Sequence, residues 1–356
     1  MSQLFGPIKT VILFGSGTVL TRLLDELAGK KTICVVTGER LAQSPSHERG
    51  MSLQEFVAAR GVMFDVCEDV NTHPLPSSWL GPATLGISFG APWIFRARLI
   101  AQFGGKLVNA HHAPLPRGRG GGGFSWQILQ SDRAGGCVIH QVTTGIDDGP
   151  ILKLRKYRFP RSCKVPAEFD VYASDQMYRL VSEFVREIER GARFEPAAQR
   201  EATSTYWPRL CTDLHGFIDW SWGVRDLVAF IDAFDRPYPG ASTFWNGARV
   251  RVRDARALRR AEGRRHPFQR GLVYRRTSAG LHVAAQGGSL VIGSVVSDEA
   301  GDVTSRIKIG DRLSTPQERL EAALWTRVAY TASGMTTRED LAVEPAVGGM
   351  GIGLRS

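Results

Sequence analysis

The sequence predicts an α/β chain, a Rossmann-like domain with a mostly parallel sheet followed by a smaller β-barrel domain. Three observations carry this. Short apolar strands alternate with helical stretches over the first half, the pattern of parallel strands joined by crossover helices. The first strand passes into the first helix through a glycine turn, Gly15-Ser16-Gly17. Beyond residue 240 the pattern changes to short strands at close spacing, as in a small open barrel.

The elements follow in order. Residues 9–15 read as a buried strand and 18–27 as a helix. The glycines between them lack the third member of a dinucleotide fingerprint, so they are read as turning the chain. Strands are expected at 32–38, 62–67 and 83–89, with helical spacing at 51–60 and 94–103 and a polar loop at 39–50. A strand from 107 leads into the central motif. A short helix at 124–130, strands at 136–142 and 151–159, and a long amphipathic helix at 168–191 complete the first domain. Polar residues with Pro196 and Pro208 make 193–211 a linker. A helix at 224–234 precedes a hairpin turning on Asn246-Gly247. Strands at 248–253, 270–275, 281–285 and 289–295 and a last helix at 317–332 follow. The expected organisation is thus a catalytic domain over 1–192, the linker, a second domain over 212–334 and a glycine-rich flexible tail over 335–356.

Composition narrows the function classes. The 356 residues are 43% hydrophobic and 22% charged, ordinary for a globular chain long enough for two domains. No apolar run approaches the roughly 18 residues of a membrane span. Residues 1–7 lack the basic and apolar regions of a signal peptide. Cys34, Cys67, Cys137, Cys163 and Cys211 are dispersed and odd in number, which points to a reduced, cytoplasmic protein with no zinc site and no other metal. The net charge of +10 fits a phosphate-bearing or polyanionic partner, and equally an arginine-rich solvated surface. Residues 251–276 hold ten arginines against two acids.

Chemistry concentrates at 106–123. Asn109 and His111 lie two apart on a strand and share a face. An Asn amide can donate to a developing oxyanion, and a His can carry a proton between nucleophile and leaving group. His112 should point away and be structural. A carboxylate to accompany His111 comes from the turn Gly145-Ile146-Asp147-Asp148-Gly149, with Asp147 inward and Asp148 solvated, because two adjacent buried carboxylates would oppose each other's ionisation. His140 lies on the strand leading to that turn and is expected to line the site. The glycines Gly120 to Gly123 are read in two ways, as an anion-binding nest or as a place of close backbone approach.

These motifs, Asn109-x-His111, Leu115-Pro116-Arg117-Gly118-Arg119-Gly120 and Gly145-Ile146-Asp147-Asp148-Gly149, resemble in order and spacing the signature of the formyltransferases that use 10-formyltetrahydrofolate. The resemblance covers roughly residues 9–315. It implies an OB-like second domain and catalysis by Asn109, His111 and Asp147. It also implies a folate co-substrate held by Phe89, Gly90, Ala91, Trp93, His140, Gly145 and Ile146, with the segment at 89–93 beside the pterin mainly through its backbone. Two departures are Asp148, where the family usually has Thr, and the glycine run. They favour a small-molecule amine acceptor, such as a nucleotide-linked amino sugar or a natural-product amine, possibly bearing phosphate. Initiator methionyl-tRNA is the second reading, supported by the second domain and the net charge. An RNA-binding protein with an inactive catalytic domain is the third. The oligomeric state is not set by the sequence.

Overall fold

The computed structural model describes residues 3–121, 123–258, 265–331 and 334–337. The first half forms a seven-stranded sheet of β1 (Thr10–Gly15), β2 (Thr32–Thr37), β3 (Met63–Val66), β4 (Thr84–Phe89), β5 (Leu107–His111), β6 (Ala134–Gln141) and β7 (Ile151–Arg158). The order across the sheet is β3-β2-β1-β4-β5-β6-β7. The first five are parallel, β6 alone is reversed, and β7, antiparallel to β6, runs with the first five. From β1 the chain winds outward to β3, then returns to the other side of β1 with β4. That reversal opens a crevice beyond the carboxyl ends of the strands, where open α/β sheets bind ligands.

Both faces of the sheet are covered. Helix α1 (Thr18–Leu27) and the long α5 (Pro166–Glu189) pack on one face, around Val11, Leu13, Leu24, Met177 and Phe184. Ile12, Phe14, Val36, Phe95 and Phe103 build the core on the other. Between them in sequence lie the shorter α2 (Leu53–Ala58), α3 (Ala97–Ala101) and α4 (Gly123–Leu129). Helix α2 opens with a capping box, in which Ser52 Oγ accepts from Glu55 N at 3.3 Å and Ser52 N donates to Glu55 Oε2 at 2.8 Å.

The second half, after α6 (Thr212–His215) and α7 (Val224–Ala233), is an antiparallel sheet. Its strands are β8 (Ala241–Trp245), β9 (Ala248–Ala257), β10 (Val273–Thr277), β11 (Gly280–Ala285) and β12 (Gly288–Ser297), in the order β8-β9-β12-β11-β10. Its two edges are not left open. Ser314 and Phe244 exchange backbone hydrogen bonds on one edge, and Leu313 N donates to Gly271 O beside the other. The segment through Leu313 thus bridges both edges and closes the sheet into a barrel, which removes its unpaired strands.

The two halves share one apolar cluster. Ile128, Phe159 and Phe169 of the first meet Ile218, Trp220, Phe230 and Phe234 of the second, all buried.

Several expectations change. The last helix is α8 (Gln317–Trp325), shorter than 317–332. Residues 328–331 instead form β13 (Val328–Thr331), paired antiparallel with β14 (Gly334–Thr337). The expected tail therefore begins with paired backbone at 335–337, and residues 338–356 lie outside the described residues. The β-branched and aromatic run Thr326 to Thr331 explains the change, since it suits a strand better than a helix. The linker is fastened rather than free. Arg193–Phe194 pairs with Gln3–Leu4, and Tyr206–Trp207 runs parallel to Arg119–Gly120. Among the described residues no helix is long and apolar enough to cross a membrane.

In the basic stretch at 251–276, several of the described arginines have partners within the chain. Arg251 is only 6% exposed and pairs with Asp213 and Asp298. Arg253 donates to the carbonyls of Tyr238 and Pro239, Arg270 to Gln286, and Arg276 to the carbonyls of Ser305 and Ile307. Arginines here close the barrel's loops through their forked donors.

Candidate active site

Strand β5 delivers Asn109 and His111 to the crevice, and β6 sets His140 directly opposite Asn109. The turn between β6 and β7 brings Asp147 back over both. His111 donates from Nε2 to Gly118 O at 3.0 Å, which fixes its tautomer. Nδ1, left as the ring's proton acceptor, lies 3.5 Å from Asp147 Oδ1. His140 donates from Nδ1 to Gln141 O at 2.8 Å, so its Nε2 accepts from Asn109 Nδ2 at 3.1 Å. Asn109 Nδ2 also reaches Asp147 Oδ1 at 3.2 Å, and Gly120 N donates to Asp147 Oδ2 at 3.0 Å. Three polar side chains from β5 and β6, with the Gly120 amide, thus converge on one carboxylate.

Asp147 is the electrostatic centre of this group. Burial alone would raise its pKa. The His111 imidazole, the contact to His140 and the Gly120 amide together outweigh burial and hold the carboxyl well below the usual carboxylate range. Asp147 therefore stays ionised, and a proton taken up at His111 Nδ1 would sit against a fixed negative charge. Asp148 is exposed and accepts from Thr143 Oγ1. His112 lines the cleft edge with its ring near Phe124, but its Nδ1 is buried without a partner. Burial, then the neighbouring His111, lowers its pKa to about 4, so it stays neutral.

The cluster opens into a cleft of about 920 Å³, at the upper end of the range for small-molecule sites. Of the residues expected to hold folate, Gly90, Ala91, Trp93, His140, Gly145 and Ile146 line this cleft. Phe89 does not. Its side chain is 5% exposed and packs in the sheet core, because the last residue of β4 turns its ring inward while its carbonyl accepts from Ser16 N. Trp93 is held by donation to Glu68 O at 2.6 Å.

Gly120 and Gly121 serve close approach, whereas a Cβ on Gly123 would meet open space. A Cβ on Gly120 would lie 2.5 Å from the Tyr206 ring and 2.7 Å from Trp207 O, and one on Gly121 would strike Arg209. Gly120 also sits at φ +93°, where only glycine is unstrained. The linker is laid directly across this saddle, and Trp126 stacks on Trp207 with centroids 5.1 Å apart. Gly122 lies outside the described residues.

Sequence reasoning missed the far side of the cleft. Arg117, Trp126, Tyr206, Trp207, Arg209 and Val328 line it, and Gln199 braces the Asp147 turn. The density of aromatics at Tyr206-Trp207-Pro208 was the available signal for the linker wall. Nothing local marks Gln199 or Val328.

Fold and site together define a two-domain protein, with an Asn–His–Asp cluster at the crevice of its Rossmann-like half and a closed antiparallel barrel as its second half. Both halves of the chain are similar to formyltransferases. The family model for formyl transferase matches residues 93–159, and that for the formyl transferase C-terminal domain matches residues 212–304. The methionyl-tRNA formyltransferase of Pelobacter propionicus is 32% identical over 52% of this chain and 55% of its own. That of Deinococcus radiodurans is 28% identical over 55% and 57%. The chain spans about half the length of the curated relatives it matches. Two solved structures share the fold. The sugar 3N-formyl transferase WlaRD, determined with dTDP and 5-N-formyl-THF, has a TM-score of 0.58 at 15% identity, covering 83% of this chain and 98% of its own. The Helicobacter canadensis N-formyltransferase, determined with folinic acid and dTDP-3-aminofucose, scores 0.60 at 16% identity, covering 80% and 98%.

Proposed function

We propose that this chain transfers the formyl group of 10-formyltetrahydrofolate to the primary amine of a small acceptor. The observation that carries the reaction is the convergence of Asn109, His111 and an ionised Asp147 at the inner end of one large cleft. Gly90 to Trp93 and Gly145-Ile146 supply the folate wall, and Trp126, Trp207 and Arg209 the acceptor wall.

In this reading the acceptor nitrogen attacks the formyl carbon. Asn109 Nδ2 turns one of its two hydrogens from His140 or Asp147 toward the oxygen that becomes negative. His111 Nδ1 takes the proton from the amine, and Asp147 stabilises the imidazolium. The same proton passes to folate N10 as the bond between N10 and the formyl carbon breaks. A new C–N bond replaces the old one, with no redox step. Gly118 O, rather than Asp147, sets the orientation of the His111 ring.

The small-acceptor reading is supported by the burial of Arg251 between Asp213 and Asp298 and by the aromatic wall beside Arg209. Methionyl-tRNA remains the second reading because the relatives named above are methionyl-tRNA formyltransferases. The test is calorimetric binding of 5-formyltetrahydrofolate, followed by formylation assays with dTDP-linked amino sugars and initiator methionyl-tRNA. Saturable donor binding with turnover of the sugar alone supports the proposal. Turnover of the tRNA alone replaces it with the second reading, and absence of donor binding refutes both.

A further inference from the structure

Asp147 occupies left-handed backbone at φ +51°, a region sparsely populated by residues other than glycine. Its two neighbours on the turn, Ile146 and Asp148, are exposed. Support comes from the linker, some fifty residues downstream. The Gln199 amide donates to Asp147 O at 2.8 Å and to Gly149 O at 2.8 Å, so both of its hydrogens serve this one turn. Its Oε1 accepts from Arg119 Nε at 3.2 Å and Nη2 at 3.1 Å. Arg119 is 9% exposed, and its remaining arm pairs with Glu201 at 2.9 Å.

The backbone around Gln199 is itself fixed. Ala197 and Ile151 exchange hydrogen bonds at 2.8 Å each, and Thr205 O accepts from Arg119 N at 2.9 Å. Meanwhile Gly120, the residue after Arg119, donates to the Asp147 carboxylate. Arg119 through Gln199 thus holds the backbone of Asp147, while Gly120 holds its side chain. Gly118, on the other flank, holds His111. One three-residue segment therefore sets the distance between the imidazole and the carboxylate, and Gln199 is the link through which it reaches the turn.

We infer that Gln199 is a positioning residue that holds Asp147 at its working distance from His111, so that the linker, and not the catalytic strands alone, sets the geometry of proton transfer. This rests on the reading of the site as a formyl-transfer centre. The simpler alternative is that Gln199 only staples the linker to the first domain.

Gln199→Glu separates the two. It keeps the size of the side chain and strengthens its tie to Arg119, but it removes both donors and sets a negative charge against two carbonyls. A staple would survive this change, whereas a positioning residue would not. The measurements are amide exchange at Gly120 by NMR, 5-formyltetrahydrofolate binding by calorimetry, and kcat and KM for whichever of dTDP-3-aminofucose or initiator methionyl-tRNA is formylated. The expected result is native thermal stability, donor affinity within about twofold, Gly120 exchange faster by roughly tenfold, and kcat lower by roughly 30-fold at little-changed KM. Gln199→Met, which lacks donors and charge alike, should reproduce the Gly120 result if Gln199→Glu folds poorly. Wild-type Gly120 exchange together with wild-type kcat in either folded variant overturns the inference. If the native protein binds no folate, the functional reading falls, and the Gly120 exchange still decides whether Gln199 positions Asp147.

Discussion

Replacing Asp147 by Asn tests the centre of the proposed mechanism, because it keeps the shape and removes the charge. Asp147 Oδ1 lies 3.5 Å from His111 Nδ1 and the side chain is 14% exposed. At an effective dielectric near 20, two unit charges at this distance attract by about 5 kcal/mol. Water in the open cleft and the remaining dipole of the amide reduce the net loss to about 3 kcal/mol, or roughly 100-fold in kcat. The amide also turns an N–H toward the Gly120 N–H or toward Asn109, so one of the present hydrogen bonds must break. The assay is steady-state formylation of the acceptor, with 5-formyltetrahydrofolate binding as the control that should stay within a few fold. A fall in kcat of less than about threefold would mean that the charge of Asp147 does not stabilise a protonated His111, and the proton route through Nδ1 would be wrong.

Other consequences follow from the same geometry. Because burial lowers the His112 pKa from 6.5 to about 4, the unfolded chain takes up a proton as pH falls through 6.5 while the native protein resists until about 4. Native stability should be lost over that window, by about 3 kcal/mol in all. Melting temperatures of wild type and His112→Gln between pH 7 and pH 4.5 should converge on acidification, and parallel curves would speak against it. Gly120→Ala forces a Cβ onto the Tyr206 ring and Trp207 O at a left-handed φ, so urea unfolding should show a loss of about 2 kcal/mol, with kcat falling as the amide leaves Asp147. Arg251→Met breaks a buried arginine held between Asp213 and Asp298. It should lower stability by about 2 kcal/mol and leave binding to a generic RNA unchanged in a filter assay, whereas loss of RNA affinity without loss of stability would favour a nucleic-acid role.

Much of the fold was legible because it follows from period and punctuation. The strands of the first sheet are short runs such as Val11 to Phe14, fully buried and bounded by glycine, so hydrophobicity alone marks them. Asn109 and His111 were legible as a pair because strand periodicity puts them on one face, and Asp147 because its glycine-bounded turn follows the next strand. What stayed hidden depends on contacts distant in sequence. The bridging of the barrel by Leu313 and Ser314 involves a segment with no strand-like pattern. Gln199 looks like any polar linker residue until the turn it braces is placed beside it. Phe89, at a strand's end, keeps its ring in the core, and the expectation for 89–93 rested on its backbone. The helix assumed through residue 332 ended early because alternation in Val328 to Thr331 competes with a helical reading of the same short run.

The apolar cluster that joins Phe159 and Phe169 to Trp220, Phe230 and Phe234 bears on how such a protein can change. Family resemblance divides the chain into two separable blocks, yet the molecule does not divide at that line. A first half cut free at the linker would carry a wet face of phenylalanines. Exchange of the second half alone would therefore have to preserve the face that α5 and its neighbours present to it. The cleft wall, by contrast, can change by small edits along the rim, at Arg117, Trp126, Arg209 and Val328, without disturbing the seam.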